Sequence, residues 1–226
     1  MNNFVVLSEK RWNVELIENL KKNIPDAKWL LINNKNDFLL KNLKKINPNK
    51  IFIPHWSYII PEEIFLSFEC IVFHMTDLPY GRGGSPLQNL IVRGYKKTKI
   101  SALKVVKELD AGPIYLKKEL DLYGTAEEIF IRTNETIQEM IIEIISDNLR
   151  HVGQEGEPVF FKRRKPAMSE IEQISEINTL YDHIRMLDAE GYPKAYFEND
   201  HFKFEFTRAS LKSDNTILAD VRIIKK

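Results

Sequence analysis

Two residues of the types that move protons near neutral pH stand out in this chain by their surroundings, one imidazole and one carboxylate. His74 closes an apolar run, Cys70 to Phe73, and opens a loop that carries Gly81, Gly83 and Gly84 before Pro86 starts a helix. Asp110 comes later, directly ahead of Ala111-Gly112-Pro113. Alone, each has an ordinary explanation. A histidine beside an apolar run is usually a satisfied core residue, and an aspartate close before a glycine usually bonds its own backbone in a turn. The position of His74 argues further, because a ring at the carboxyl end of a strand lies where open α/β sheets bind ligands.

The elements that must hold these two residues alternate along the chain. Asn3 to Leu7, Lys28 to Ile32 and Ile51 to Pro54 are short apolar runs that predict strands. Between them, Trp12, Leu16 and Leu20 recur at fourfold spacing on a helix with Ser8 as its cap, and Phe38 to Leu43 begins a second helix that ends at Pro48. Strand, helix, strand, helix, strand predicts a parallel sheet with right-handed crossovers. Cys70 to Phe73, Lys99 to Val106 and Ile114 to Leu122 add strands, and Gln88 to Tyr95 a short helix. Thr125 with Glu128 forms a capping box that opens a long helix to about Asn148. After His151 the texture changes: residues 1–152 read as one catalytic domain, 153–170 as a linker with the basic segment Phe161-Lys162-Arg163-Arg164-Lys165-Pro166, and 171–226 as a small α+β subdomain. In that tail, Ile174 to Leu187 is helical, Lys194 to Phe206 alternates about Glu198-Asn199-Asp200 as a hairpin does, and Ile217 to Ile224 is a strand.

Composition excludes several classes. Of 226 residues, 33 are Lys or Arg and 32 Asp or Glu, a net charge of +1 that supplies no global field for gripping a polyanion. The single cysteine, Cys70, rules out a disulfide scaffold. Apolar runs are too short to cross a bilayer and no secretory leader is evident, so a cytoplasmic protein with no membrane partner is expected. Ser8-Glu9-Lys10-Arg11-Trp12 follows the first strand where a dinucleotide site would show G-x-G-x-x-G, and no P-loop motif occurs. The five histidines lack metal-ligand spacing, so no metal is expected.

The stretch Phe73-His74-Met75-Thr76-Asp77-Leu78-Pro79-Tyr80-Gly81-Arg82-Gly83-Gly84-Ser85-Pro86, with Asp110-Ala111-Gly112 further on, resembles the folate-dependent formyltransferases. That family shows N-x-H, then S-L-L-P-x-x-x-G, then D-x-G; His74, Leu78-Pro79, Arg82-Gly83 and Asp110 with Gly112 match it. Trp56-Ser57-Tyr58-Ile59-Ile60-Pro61 is similar to the family's folate-binding loop, and Thr125-Ala126 with Arg132 to its following helix. One position departs: Val72 stands where the family has the asparagine, so another donor must take over, Asn89 or Thr76 lying nearby in sequence, or activity is low.

The resemblance implies an α/β fold, a Rossmann-like formyltransferase core with a mostly parallel sheet and helices on both faces, plus the small C-terminal appendage. It implies an enzyme using 10-formyltetrahydrofolate as co-substrate. His74 and Asp110 are then catalytic. Trp56, Tyr58, Ile59, Ile60, Val106, Lys107 and Glu108 hold the folate, and Thr76, Arg82, Gly83 and Arg163 bind the substrate. The basic segment 161–166 is similar to that of enzymes acting on nucleotide-linked amino sugars, so a UDP- or dTDP-linked 4-amino-4,6-dideoxy sugar of bacterial surface-glycan synthesis is the expected acceptor, with no nucleic acid as partner. The alternatives are a methionyl-tRNA formyltransferase with a reduced tail and a degenerate folate or nucleotide binder. Exposed strands in the tail make a homodimer possible.

Overall fold

The computed structural model describes residues 2–10 and 13–226; Trp12 lies outside them. The chain runs β1 (Asn2–Ser8), α1 (Asn13–Asn23), β2 (Ala27–Ile32), α2 (Leu40–Ile46), β3 (Lys50–His55), α3 (Glu62–Ser67), β4 (Cys70–His74), β5 (Tyr80–Gly83), α4 (Pro86–Val92), β6 (Lys97–Lys104), β7 (Ile114–Asp121), α5 (Ala126–Ser146), β8 (Val159–Phe161), α6 (Ile177–Arg185), β9 (Ala195–Glu198), β10 (Phe202–Leu211) and β11 (Ile217–Lys225). Six strands form the main sheet in the order β2-β1-β3-β4-β6-β7. The first four are mutually parallel, and β6 runs antiparallel to β4.

Strands buried on both faces read as unbroken apolar runs rather than as alternation, and β1 is of this kind, with Phe4, Val5, Val6 and Leu7 all at most 3% exposed. On one face Val5, Leu7, Ile51, Ile53 and Cys70 pack with Phe38, Leu43 and Ile64. On the other, the rings of Phe4, Phe52 and Phe73 follow one another across the sheet at 5.9 and 6.5 Å. Burial pushes the Cys70 thiol up to about 12, with Glu69 adding to the effect, so it behaves as a small apolar side chain. Ser8 does not cap α1. It ends β1, its hydroxyl accepts from the Lys10 amide at 3.2 Å and from Asn13 Nδ2 at 2.5 Å, and the helix begins at Asn13.

The residues divide into two compact units. One holds the chain up to Arg82 with Lys99–Leu120 and Ile131–Phe160. The other holds Gly83–Thr98, Asp121–Phe130 and Phe161–Lys226. In the second, β11, β10 and β9 form an antiparallel sheet. Its buried Arg185 donates to the carbonyls of Leu122 and Gly124 at 2.6 and 2.9 Å and to Asp182 at 2.6 Å, tying α6 to the turn before α5. The capping box of α5 is present, with the Thr125 amide donating to Glu128 Oε2 at 2.7 Å and the Glu128 amide to Thr125 Oγ1 at 3.3 Å.

His55 ends β3, and its Nδ1 is shielded from solvent. Burial, helped by the nearby Lys10 charge, pushes the imidazole down to about 4. A ring that resists protonation in the folded state but takes a proton near 6.5 when unfolded stabilises the fold above that pH and loses this contribution as pH falls toward 4. Urea titrations at pH 7 and pH 5 should therefore show the native protein losing about 2 kcal/mol more than His55→Gln. Equal losses in the two proteins would mean that His55 is not held neutral.

Candidate active site

His74 is the last residue of β4, and in the parallel register with β3 it comes level with His55, so the loop after β3 and the ring at position 74 leave the sheet at the same edge. The imidazole is buried, 8% exposed. Its Nε2 lies 2.8 Å from the carbonyl of Gly81, which can only accept, so Nε2 carries the proton of this bond. Gly81 reaches this position at φ 80°, in the region glycine enters without steric cost. The other nitrogen, Nδ1, faces Asp110 Oδ2 at 3.7 Å, with the two side chains only 9% and 10% exposed. The structure thus brings together the two residues that the sequence marks as catalytic.

Strand direction alone does not bring them together. Because β6 is antiparallel to β4, Ser101 lies opposite His74 and Lys104 opposite Ile71, and the Val105 amide bonds the Cys70 carbonyl at 2.8 Å. The chain thus leaves β6 at the far end of β4 and folds back to deliver Asp110. Two features close the loop: the Lys104 amide bonds the Pro113 carbonyl at 2.9 Å, and Gly112 passes so close that a Cβ there would sit 1.7 Å from the Lys104 carbonyl oxygen. Asp110 itself has φ 53°, the left-handed region that aspartate tolerates better than most residues.

A residue outside the sequence-based set completes the loop. Val152 and Ile114 exchange backbone hydrogen bonds at 2.7 and 2.8 Å, an antiparallel bridge that sets Gln154 opposite Gly112. Gln154 Nε2 donates to the carbonyls of Asp110 and Gly112, each at 2.8 Å, while its Oε1 accepts from Arg82 Nε and Nη2 at 3.1 and 2.7 Å. The segment 153–170 reads as linker in sequence, and only a known register for Ile114 singles out its one amide side chain.

The folate-loop residues divide by exposure. Trp56 is half-buried, edge-on to Phe38 at 5.9 Å and to Tyr58 at 5.3 Å, and Ile60 packs with it against the core. Tyr58 is exposed, with the Lys35 ammonium 4.3 Å from its ring, and Ile59 is 87% exposed. Val106 is half-buried, and Lys107 and Glu108 are exposed on the Asp110 loop. Two open grooves, of about 250 and 320 Å³, lie along the edge strand β2 and include none of these residues.

Packing accounts for three of the residues named from the sequence. Thr76, expected to bind substrate, is fully buried, and its hydroxyl has no hydrogen-bond partner; its carbonyl accepts from Ser101 Oγ at 2.7 Å, so it belongs to the interior of the turn. Gly83, also expected at the substrate, is a glycine because β5 runs against β8: a Cβ there would meet the Phe161 carbonyl oxygen at 2.5 Å. Asn89 cannot supply the missing amide, since its Nδ2 donates to the carbonyls of Gly84, Ser85 and Lys162 and its Oδ1 accepts from Arg93. Val72, on the same face of β4 as His74, packs against the core cluster of Val5, Leu7, Ile51, Ile53 and Cys70, as Trp56, Ile60 and Val105 also do. Arg163 is exposed, with its Cα and Cβ against Gly84. Among the described residues no cluster of three or more His, Cys, Asp or Glu could hold a metal, and no helix is long and apolar enough to cross a membrane.

A histidine at a strand end, an aspartate on a D-x-G turn facing it and an exposed aromatic loop at the same sheet edge are the parts of a group-transfer site. The family model described as formyl transferase matches residues 4–145, and the chain belongs to that family. A second model, the C-terminal domain of methionyl-tRNA formyltransferase, matches residues 166–224. Among solved structures, methionyl-tRNA formyltransferase from Clostridium thermocellum is 50% identical, with all of both chains covered and a TM-score of 0.97. A methionyl-tRNA formyltransferase from Sulfurihydrogenibium sp. (strain YO3AOP1) is 28% identical over 79% of this chain, which spans 60% of that protein. A sugar N-formyltransferase from Shewanella sp. FDAARGOS_354 shares the fold at a TM-score of 0.68 but only 16% identity, over 97% of this chain and 96% of that one. The expected nucleotide-linked amino sugar and the exclusion of nucleic acid are overturned by the first two structural and domain matches. The basic segment 161–166, on which the sugar reading rests, leads directly into the residues that the model of the methionyl-tRNA formyltransferase C-terminal domain matches.

Because the contact at Gly112 is with backbone, no side-chain adjustment relieves it. Gly112→Ala should lower stability by about 2–3 kcal/mol through overpacking. Urea denaturation checks this, and a loss under about 0.5 kcal/mol would show that the D-x-G glycine is not required by this contact.

Proposed function

We propose that the protein transfers the formyl group of 10-formyltetrahydrofolate to the α-amine of methionyl-tRNA. One observation carries the reading: a structure named as a methionyl-tRNA formyltransferase matches the whole chain at half identity, including the tail that a formyl transferase domain alone leaves over. The chain spans between 35% and 60% of the curated relatives it matches, so the acceptor rests on this full-length match rather than on theirs.

The residues present suit a folate. The loop after β3 offers the exposed faces of Tyr58 and Ile59 over the half-buried Trp56, an apolar, aromatic rim for a flat heteroaromatic ring. Val106, Lys107 and Glu108 line the loop that also carries Asp110. Bound there, the folate supplies the formyl carbon. When the amine adds to that carbon, negative charge grows on oxygen and the nitrogen must lose a proton. His74, held at Nε2 by Gly81, must meet the oxygen with an N–H at Nδ1, the ring nitrogen on the Asp110 side, and Asp110 accepts the amine's proton directly or through water. Collapse then breaks the carbon's bond to the folate nitrogen, which takes up a proton. Val72 offers no hydrogen bond, so His74 carries the oxyanion without the family's asparagine.

The tRNA reading also explains what an even net charge conceals. Lys162, Arg163, Arg164 and Lys165 are consecutive, and Lys162, Arg163 and Lys165 are exposed. Such a local patch meets backbone phosphates whatever the charge of the whole chain.

Incubating the protein with 10-formyltetrahydrofolate and charged initiator tRNA should yield formylmethionine. His74→Ala and Asp110→Asn should each lower the rate by at least about 10³-fold with folate affinity retained. Near-native turnover in either variant would remove the mechanism, and transfer only to a small amine would remove the acceptor.

A further inference from the structure

Gln154 has the geometry of a two-armed brace. Its carboxamide is amphoteric, and both ends are used in the only orientation their partners allow: the N–H₂ end faces two carbonyls, and the oxygen faces a guanidinium. One arm fixes the backbone on either side of Ala111, holding Asp110 at its sparsely populated positive φ. The other fixes Arg82, one residue after the Gly81 carbonyl that orients His74. A single half-buried side chain therefore touches both loops on which the catalytic pair depends, and it arrives there by the bridge between Val152 and Ile114.

We infer that Gln154 is the positioning residue for this reaction, coupling the Asp110 loop to the Arg82 loop so that the carboxylate stays turned toward the imidazole. This rests on the function proposed above. Gln154 touches neither reacting atom and acts through Asp110. The loop folds back along the sheet against the direction of β6, and beside its closing contacts at Lys104 and Glu108 the brace ties it at the carbonyls of Asp110 and Gly112. A shift of about 1 Å in such a group is enough to cost around a hundredfold in rate.

Two substitutions separate the arms. Gln154→Ala removes both. Gln154→Glu keeps an acceptor for Arg82 but sets a carboxylate against the Asp110 and Gly112 carbonyls, breaking only the loop arm. Both should lower kcat at least about tenfold, with KM for the folate changed less than about twofold. In an Asp110→Ala background, adding Gln154→Ala should change the rate little, since the group it positions is gone. Hydrogen exchange at residues 109–112 should quicken in both variants without any substrate present. Unchanged exchange, a fully active Gln154→Glu, or the same fold-loss with and without Asp110 would each overturn the inference. Were the native enzyme unable to formylate methionyl-tRNA, the functional reading would fall, while the exchange rates would still decide whether Gln154 braces the loop.

Discussion

The pairing of His74 with Asp110, the proposed catalytic residues, depends on a loop running against the grain of the sheet. In a sheet of parallel strands, ligand-binding groups collect at one edge because every strand ends there. Here the strand before Asp110 is antiparallel to the strand that ends in His74, so the two residues start from opposite ends of the β4–β6 ladder. The loop reverses that separation, and its cost is visible in the backbone: a non-glycine residue at positive φ, and a glycine pressed onto a carbonyl oxygen with no room for a methyl group. Ala-Gly after Asp110 is therefore a statement about packing against Lys104 as much as about catalysis.

Much of this was legible in the sequence, for identifiable reasons. β1, β3 and β4 are unbroken apolar runs because both faces of the sheet are covered, and α5 announces itself by the reciprocal bonds of Thr125 and Glu128. The β9–β10 hairpin shows in the alternation about Asn199, whose side chain accepts from the amides of His201 and Phe202 at 3.0 and 2.9 Å. What stayed hidden has no periodic signal. β5 is four residues with two glycines, β8 only three residues, and their pairing rather than a ligand explains Gly83. The direction of β6 cannot be read from its residues, since an apolar strand looks alike both ways. Gln154 is invisible for a related reason: its importance lies in facing Gly112 across a bridge, a fact of register.

The acceptor illustrates how a bulk quantity can mislead. Net charge argues against a nucleic acid, and the stretch after 170 reads in sequence as a small separate subdomain. The compact unit containing that tail also takes in Gly83–Thr98 and Asp121–Phe130. Gln88 of α4 donates to the Met186 carbonyl at 3.3 Å, and Arg185 is satisfied by carbonyls at 122 and 124, so the unit's interior is assembled from three separated stretches of chain. Counting residues after a linker measured the wrong object. Net charge averaged away four consecutive cations in the same manner.

Val72 poses the sharper chemical question, and its surroundings suggest how the site works without an amide there. Alternation along β4 puts Cys70, Val72 and His74 on one face. That face is apolar ahead of the imidazole: Cys70 belongs to the buried core cluster, and Val72, like Trp56, Ile60 and Val105, packs against it. Charge that develops beside such a floor is poorly screened, so the one donor left to it is worth more than the same donor in a wet, polar site. The same floor offers no alternative partner to a misplaced carboxylate or ring. In the proposed mechanism efficiency then rests on orientation rather than on the number of donors, and orientation is what the Gly81 carbonyl, the closed Asp110 loop and the inferred Gln154 brace would provide.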